Sequence, residues 1–216
     1  MKKLAIFDND GTLVNTEKPM WCEAEKKALI ATGYKPTPQL LNNIIGKSKK
    51  NNWEMLANTF PGFPNEKFWE IVDQEVSNYI KNEKVIIMPG VIDLLECLKS
   101  NNVTCAVASS STMEQINGMM DNTGLNKYFD KIFSAAELKH GKPDPEIYLK
   151  VLDYYQVDKK DAIVFEDSHY GALAAINAGI DVVIVPNNAI ILDEDRKNAL
   201  KVYKTIDEAI ELFKKK

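Results

Sequence analysis

The chain has 216 residues, of which 45% are hydrophobic and 27% are charged, and its formal net charge is −4. This length and composition are typical of one globular domain, or of one domain with a modest insertion, and they exclude collagen-like, low-complexity and disordered chains. The negative charge argues against a nucleic-acid-binding surface, and no apolar run approaches the roughly 20 residues of a membrane-spanning helix. We therefore expect neither a nucleic-acid partner nor a membrane partner.

The cysteines and the first residues indicate the compartment. The three cysteines have no CxxC spacing, so they predict neither a disulfide framework nor a zinc site. The apolar run after the two N-terminal lysines ends at an aspartate and is too short for a secretory signal peptide. These features predict a cytoplasmic protein, and we expect it to be a monomer.

Short apolar runs, each followed at once by polar residues, predict buried strands of a parallel sheet. In chain order they cover residues 3–7, 103–108, 131–134, 162–165 and 182–185. Apolar residues with a helical period lie between them, at residues 91–99, 113–122, 145–155 and 170–178. This alternation predicts an α/β fold with a Rossmann-like, mainly parallel sheet flanked by helices.

One segment interrupts the alternation directly after the first strand. Residues 17–84 contain no convincing strand and show only helical periods. Trp21 belongs to the first of these periods and lies on one face of it with Ala24, Ala28, Leu29 and Ala31. We therefore predict an α/β core formed by residues 1–15 and 86–216, and an inserted all-helical cap domain formed by residues 16–85.

Polar side chains collect around the ends of the predicted strands. They are Asp8, Asp10, Ser109, Lys142, Glu166 and Asp167. Each one alone has an ordinary structural explanation, because Asp and Ser commonly form turns and cap helices. Ligands of open parallel sheets bind beyond the carboxyl ends of the strands, however, so we expect all six side chains in one crevice.

The residue types in this crevice point to phosphate chemistry. Carboxylates beside a lysine suit Mg²⁺, a hard cation that shares its coordination shell with a phosphate, whereas two histidines are too few for a typical zinc or iron site. One carboxylate can attack phosphorus, and a second carboxylic acid two residues further on can protonate the leaving oxygen and later activate water. Lys142 and the Ser109 hydroxyl would help to cancel the negative charge of the phosphoryl group.

Four motifs resemble those of the haloacid dehalogenase superfamily. The stretch FDNDGTL at residues 7–13 resembles motif I, whose pattern is DxDGT. Ser109 resembles motif II, Lys142 in GKPDP resembles motif III, and EDS at residues 166–168 resembles motif IV. The similarity runs in the family's order over residues 4–186, and the helical insertion resembles the type-I cap of the branch that contains β-phosphoglucomutases and small-molecule phosphatases.

The resemblance implies a role for each motif residue. Asp8 is the expected nucleophile, and Asp10 is the expected general acid and base. Mg²⁺ is expected to bind the Asp8 side chain, the Asp10 carbonyl oxygen and Asp167. Glu166 is expected to be a nearby or variable metal ligand. The predicted phosphate-binding residues are Gly11, Thr12, Ser109, Ser110 and Lys142.

The predicted cap also carries candidate substrate-binding residues. Gly46 and Lys49 lie in a GKSKK stretch that resembles the specificity loop of the cap. Lys49 stands where the mutases have an arginine that grips the distal phosphate of the substrate. The alternative for these lysines is a solvated surface. Met20 stands where β-phosphoglucomutases have a histidine, and this difference counts against a mutase.

The sequence therefore favours a Mg²⁺-dependent phosphatase that hydrolyses a small phosphomonoester, a sugar phosphate, through an aspartyl-phosphate. A phosphosugar mutase of the β-phosphoglucomutase type is the alternative. Asp10 disfavours a dehalogenase, since a halide needs no proton from an acid. A catalytically silent binding protein is disfavoured because all the motif carboxylates are present, and a dinucleotide-binding Rossmann enzyme is excluded because the chain has no GxG.

Overall fold

The computed structural model describes residues 2–45, 47 and 49–214. The strands within these residues are β1 (Leu4–Phe7), β2 (Thr104–Ser109), β3 (Lys131–Ser134), β4 (Ala162–Glu166), β5 (Asp181–Ile184) and β6 (Lys201–Val202). They form one parallel sheet in the order β3-β2-β1-β4-β5-β6. The predicted α/β fold with a parallel sheet is confirmed.

The predicted strands agree with β1 to β5 to within one residue at each end. The sequence did not predict β6, because a two-residue strand is too short to show a hydrophobic pattern. The helices that alternate with the strands are α5 (Val91–Ser100), α6 (Met113–Thr123), α7 (Glu146–Tyr155), α8 (His169–Ala178) and α9 (Asp193–Asn198). A 3₁₀ helix at Ile206–Phe213 ends the described chain.

Both faces of the sheet are buried, which is why its strands are continuous apolar runs. Successive side chains of a strand point to opposite faces. Leu4 and Ile6 of β1 pack in one hydrophobic cluster with residues of α7 and α8. Ala5 and Phe7 pack in a second cluster with residues of α5, α6 and the 3₁₀ helix.

The segment between β1 and α5 is helical wherever the structure describes regular structure in it. It contains a π-helical turn (Glu17–Cys22), α1 (Glu23–Ala31), α2 (Pro38–Ile44), α3 (Lys49–Thr59) and α4 (Asn65–Asn82). Thr37 and Pro38 explain where α2 begins, because the Thr37 hydroxyl caps the Leu40 N–H and proline fits the first turn. The division into two domains stays a prediction.

Two chain segments connect this helical segment to the sheet, and they are hydrogen-bonded to each other. The Asn15 N–H donates to the Ile86 carbonyl over 2.8 Å, and the Met88 N–H donates to the Leu13 carbonyl over 2.9 Å. Apolar side chains of the helical segment, including Leu56 and Phe68, belong to the same buried cluster as Phe7 of the central strand. The helical segment therefore shares its core with one face of the sheet.

No helix in the part of the chain that the structure describes is both long and apolar enough to span a membrane.

Candidate active site

The sheet topology brings the motif residues together at the carboxyl end of β1. This strand lies between β2 and β4, and Phe7 is in register with Val107 and with Phe165. Asp8 therefore follows β1 next to the ends of the strands that carry Ser109 and Glu166. The order of the strands reverses at β1, and such switch points are where parallel sheets bind ligands.

Lys142, which lies in the loop that precedes α7, binds two of the carboxylates. Its Nζ lies 2.6 Å from Asp8 Oδ1 and 2.6 Å from Glu166 Oε1, and it also donates to the Ala108 carbonyl over 3.0 Å. The Tyr148 hydroxyl donates to the same Glu166 oxygen over 2.8 Å. Because Lys142 is only 5% exposed, this bridge lies almost completely out of water.

The burial of these groups changes their protonation equilibria. Burial by itself lowers the pKa of Lys142, but the charges of Asp8 and Glu166 outweigh that effect and hold the pKa well above its usual range. Burial raises the pKa of Asp8 well above its usual range, although the Lys142 charge acts in the opposite direction. Burial, followed by the charge of Glu17, raises the pKa of Asp167 in the same way. The site thus gathers more negative charge than Lys142 alone neutralises.

Three carboxylates lie close enough to share a metal ion. One oxygen from each of Asp8, Glu166 and Asp167 lies within 4.8 Å of the others. Asp167 Oδ2 is buried and has no hydrogen-bond partner among the described residues. Glu166, by contrast, binds Lys142 and Tyr148 through Oε1 and the Asp167 N–H and Ser168 hydroxyl through Oε2. Asp8 and Asp167 therefore have oxygen atoms to offer a cation, whereas the oxygens of Glu166 are already engaged.

Gly11 is required because Asp167 and Glu17 pack directly against its Cα. Its φ of +84° lies in the left-handed region, and a Cβ at this position would overlap the Asp167 carboxylate. The neighbouring Thr12 donates its hydroxyl to Asp167 Oδ1 over 3.3 Å. Both residues thus position Asp167, and the phosphate-binding role predicted for them stays a prediction.

Asp10 has a different set of partners from Asp8. Its Oδ1 accepts hydrogen bonds from the Thr16 hydroxyl over 2.6 Å and from the Trp21 indole N–H over 2.7 Å. Its Oδ2 accepts from the Ser111 hydroxyl over 2.8 Å and, at 3.5 Å, from Ser109. Neighbouring hydroxyls and the Trp21 indole therefore hold the Asp10 side chain, while Lys142 holds that of Asp8.

A cavity of about 820 Å³ opens between the strand ends and the helical segment. Asp8, Asp10, Ser109, Ser110, Lys142 and Asp167 line its sheet side. Lys49 lines the opposite side, where its Nζ lies 2.8 Å from Asp73 Oδ2 and 5.2 Å from the centre of the Trp69 ring. Gly46 lies outside the described residues.

The sequence profile of the haloacid dehalogenase-like hydrolases matches residues 5–185, which is most of the chain. The chain belongs to the haloacid dehalogenase-like hydrolase family. A relative from Thermotoga maritima named phosphorylated carbohydrates phosphatase is 34% identical over 177 residues, which are 82% of this chain and 81% of that protein. These similarities confirm the predicted class of enzyme, a phosphohydrolase.

Solved structures confirm the fold of this haloacid dehalogenase-like hydrolase. A β-phosphoglucomutase from Clostridium difficile superposes with a TM-score of 0.77 at 25% identity, over 96% of this chain and 93% of the other. CbbY from Rhodobacter sphaeroides, solved in complex with phosphate, superposes with a TM-score of 0.85 at 20% identity, over 97% and 96% of the two chains.

The sequence analysis missed several side chains that contact the predicted site residues. They are Thr16, Trp21, Ser111 and Tyr148. Trp21 fitted an apolar helical face with no sign of a polar role, but it is only partly buried and its indole N–H donates to Asp10. Ser111 had a weak signal, since it belongs to a run of three serines after a strand. Nothing in the local sequence distinguishes Tyr148 from other residues of an amphipathic helix.

Proposed function

We propose that this haloacid dehalogenase-like hydrolase is a Mg²⁺-dependent phosphatase that hydrolyses a small phosphomonoester, a sugar phosphate, through a phosphoenzyme on Asp8. The observation that carries the proposal is that two aspartates two residues apart are bound by different groups of the protein. Asp8 is bound through Oδ1 by Lys142, and the structure describes no partner for its second oxygen. Asp10 is bound by hydroxyl and indole groups instead.

These contacts support two successive displacements at phosphorus. The free oxygen of Asp8 attacks the phosphorus atom, the bond from phosphorus to the ester oxygen breaks, and Asp10 gives its proton to that oxygen. Asp10 then takes a proton from water, and the water oxygen attacks phosphorus and displaces Asp8. Inorganic phosphate and an alcohol are the products.

The residues present fit a magnesium ion. Asp8 and Asp167 offer hard oxygen ligands, and the unpartnered Oδ2 of Asp167 is a buried acceptor that a cation would satisfy. The bound ion would neutralise charge on the phosphoryl group and on the attacking carboxylate. We assign Glu166 to holding Lys142, because its oxygens already accept four hydrogen bonds.

A phosphosugar mutase remains the second candidate because Lys49 lines the cavity and a β-phosphoglucomutase has the same fold. A mutase needs a cation free to bind the phosphate that is not reacting, and the Lys49 charge is paired with Asp73. That pairing favours the phosphatase. The name of the Thermotoga maritima relative also supports action on phosphorylated carbohydrates.

One assay tests the proposal and separates the two candidates. Purified protein is incubated with a panel of hexose and pentose monophosphates, with Mg²⁺ or with EDTA, and free phosphate is measured. We expect phosphate release that EDTA abolishes and Mg²⁺ restores. Release that is unaffected by EDTA would contradict the metal requirement. Conversion of β-glucose 1-phosphate to glucose 6-phosphate without comparable phosphate release would establish the mutase instead.

A further inference from the structure

Glu25 is a buried acid for which the reaction proposed above has no use. It lies in the first turn of α1, is only 5% exposed and lines the cavity. Its carboxyl group makes no hydrogen bond or ion pair to any residue that the structure describes. A largely buried carboxyl group without a partner in the protein is unfavourable, and the cavity that Glu25 lines is where a partner for it can bind.

Glu25 shares the cavity with the reacting groups. Trp21, at the end of the π-helical turn that precedes α1, binds Asp10 through its indole N–H. Glu25 lines the same cavity as Asp8, Asp10 and Glu17, and the charge of Glu17 acts on its carboxyl group. Since Asp10 is proposed to protonate the leaving oxygen, a substrate in this cavity would carry the group attached to that oxygen towards Glu25.

The surrounding wall of the cavity combines aromatic and apolar surface with polar and charged side chains, among them Lys47, Lys49 and Lys50. Trp21, Trp53, Trp69 and Ile44 supply aromatic and apolar surface. Trp69 Nε1 and Asn52 Oδ1, on residues of the same cavity wall, are buried without hydrogen-bond partners among the described residues. Specific pockets commonly combine such surface with a few polar groups that fix the orientation of the ligand.

We propose that Glu25 is a specificity-determining residue that hydrogen-bonds to hydroxyl groups of the sugar carried by the phosphate. The inference rests on the phosphatase function proposed above and adds the part of the substrate that the helical segment recognises. A sugar hydroxyl both donates and accepts, so it satisfies the carboxyl group in either protonation state. Burial, and then the charge of Glu17, raise the pKa of Glu25 to about 8. Near neutral pH the group can therefore donate as well as accept a hydrogen bond.

The test compares a substrate with hydroxyl groups and a substrate without them. We would measure kcat/KM of wild type, Glu25→Ala and Glu25→Gln for the best sugar monophosphate of the panel and for para-nitrophenyl phosphate. We expect Glu25→Ala to lower kcat/KM for the sugar phosphate about five- to a hundredfold, the usual effect of removing the hydrogen-bond partner of a buried polar group. The aryl phosphate should change less than about threefold, and Glu25→Gln should restore part of the loss because an amide also donates and accepts.

Glu23→Ala is the matched control, because Glu23 belongs to the same helical turn but is exposed. Its kinetics should equal those of wild type for both substrates. Equal losses for both substrates in Glu25→Ala, or no loss for either, would overturn the inference while leaving the phosphatase proposal intact. If wild type releases phosphate from neither substrate, the phosphatase proposal itself fails. Retained turnover of the aryl phosphate shows that the variant is folded.

Discussion

Asp8 and Asp10 lie two residues apart, yet their side chains belong to different hydrogen-bond networks. Asp8 binds Lys142, whereas Asp10 binds the Trp21 indole and the hydroxyls of nearby residues. Both residues follow β1 and precede the turn at residues 11–13, so different neighbours surround their side chains. The structure therefore supports separate chemical tasks for two identical side chains.

The Asp8→Asn variant tests the proposed nucleophile. An amide oxygen still accepts the hydrogen bond from Lys142, so the fold should survive, but an amide is a far poorer nucleophile than a carboxylate. We expect kcat to fall by a factor on the order of 10³ or more. Acid-quenched samples should also lose the hydroxylamine-labile phosphoenzyme that we expect in wild type. Retention of a tenth of the wild-type activity would remove Asp8 from this role.

The Glu25→Gln variant tests the energetic consequence of burying an acid. The pKa of Glu25 is raised from 4.5 to about 8. Below about pH 4.5 the group is protonated in both the folded and the unfolded protein, so folding does not remove a charge from water. As the pH rises towards 8, the unfolded chain releases the proton while the folded protein keeps it, and the free energy of unfolding decreases.

Glu25→Gln removes this dependence, so we expect it to be more stable than wild type at pH 8, by an amount on the order of 4 kcal/mol, and nearly equal to it near pH 4.5. Urea unfolding across this pH range measures the difference. Glu17, whose own pKa burial raises to about 7, titrates in the same range in both proteins, so the comparison uses the difference between variant and wild type at each pH. Lys47, Lys49 and Lys50 line the same cavity, so the ionic strength is held fixed. A difference in the free energy of unfolding between variant and wild type that is the same at every pH would contradict the prediction.

The strands β1 to β5 and the helices α5 to α8 were predictable from the sequence, whereas α9, β6 and the contacts between elements were not. The run at residues 131–134 predicts β3 with its observed ends, because an apolar pattern is a local property. The contact of Trp21 with Asp10 depends on how the helical segment packs over the sheet, and an aromatic residue on an apolar helical face gives no sign of it. Glu25 was missed for the same reason, since a charged residue usually indicates a solvated position.

The start of α3 carries the lysine predicted to grip a second phosphate. The Lys49 charge is paired with Asp73 of α4, and both side chains are about half exposed. Exposed ion pairs contribute about 0–1 kcal/mol. We therefore expect Lys49→Ala to change kcat/KM less than about fivefold, and alike, for sugar monophosphates, fructose 1,6-bisphosphate and para-nitrophenyl phosphate.

Asp73→Asn is the matched variant, since it leaves Lys49 in place and removes the partner of its charge. Steady-state kinetics with the same three substrates should again show small and uniform changes. A loss of tenfold or more in Lys49→Ala that is confined to the bisphosphate would show that Lys49 binds a distal phosphate. That result would favour the mutase.

At the scale of the whole molecule, the helical segment and the sheet share one hydrophobic cluster. Phe68 of α4 and Phe7 of β1 both belong to it, and Asn122 of α6 adds hydrogen bonds to the Ile80 and Glu83 carbonyls and to the Val85 N–H. The helical segment is inserted between β1 and α5, so the chain enters it from the sheet and returns from it to the sheet. Neither part can expose its face of the cluster without exposing apolar surface of the other.

The shared cluster has a thermodynamic consequence for heating. Two units with separate cores melt in two steps, whereas a single core makes unfolding an all-or-none event. We expect differential scanning calorimetry to record one transition whose calorimetric enthalpy equals its van't Hoff enthalpy. Asn122→Ala should lower the midpoint by a few degrees without splitting the peak. Two resolved peaks would show that the core is divided. A single peak would mean that the proposed catalytic residues at the strand ends and the proposed specificity residue on the helix lose their folded arrangement in the same transition.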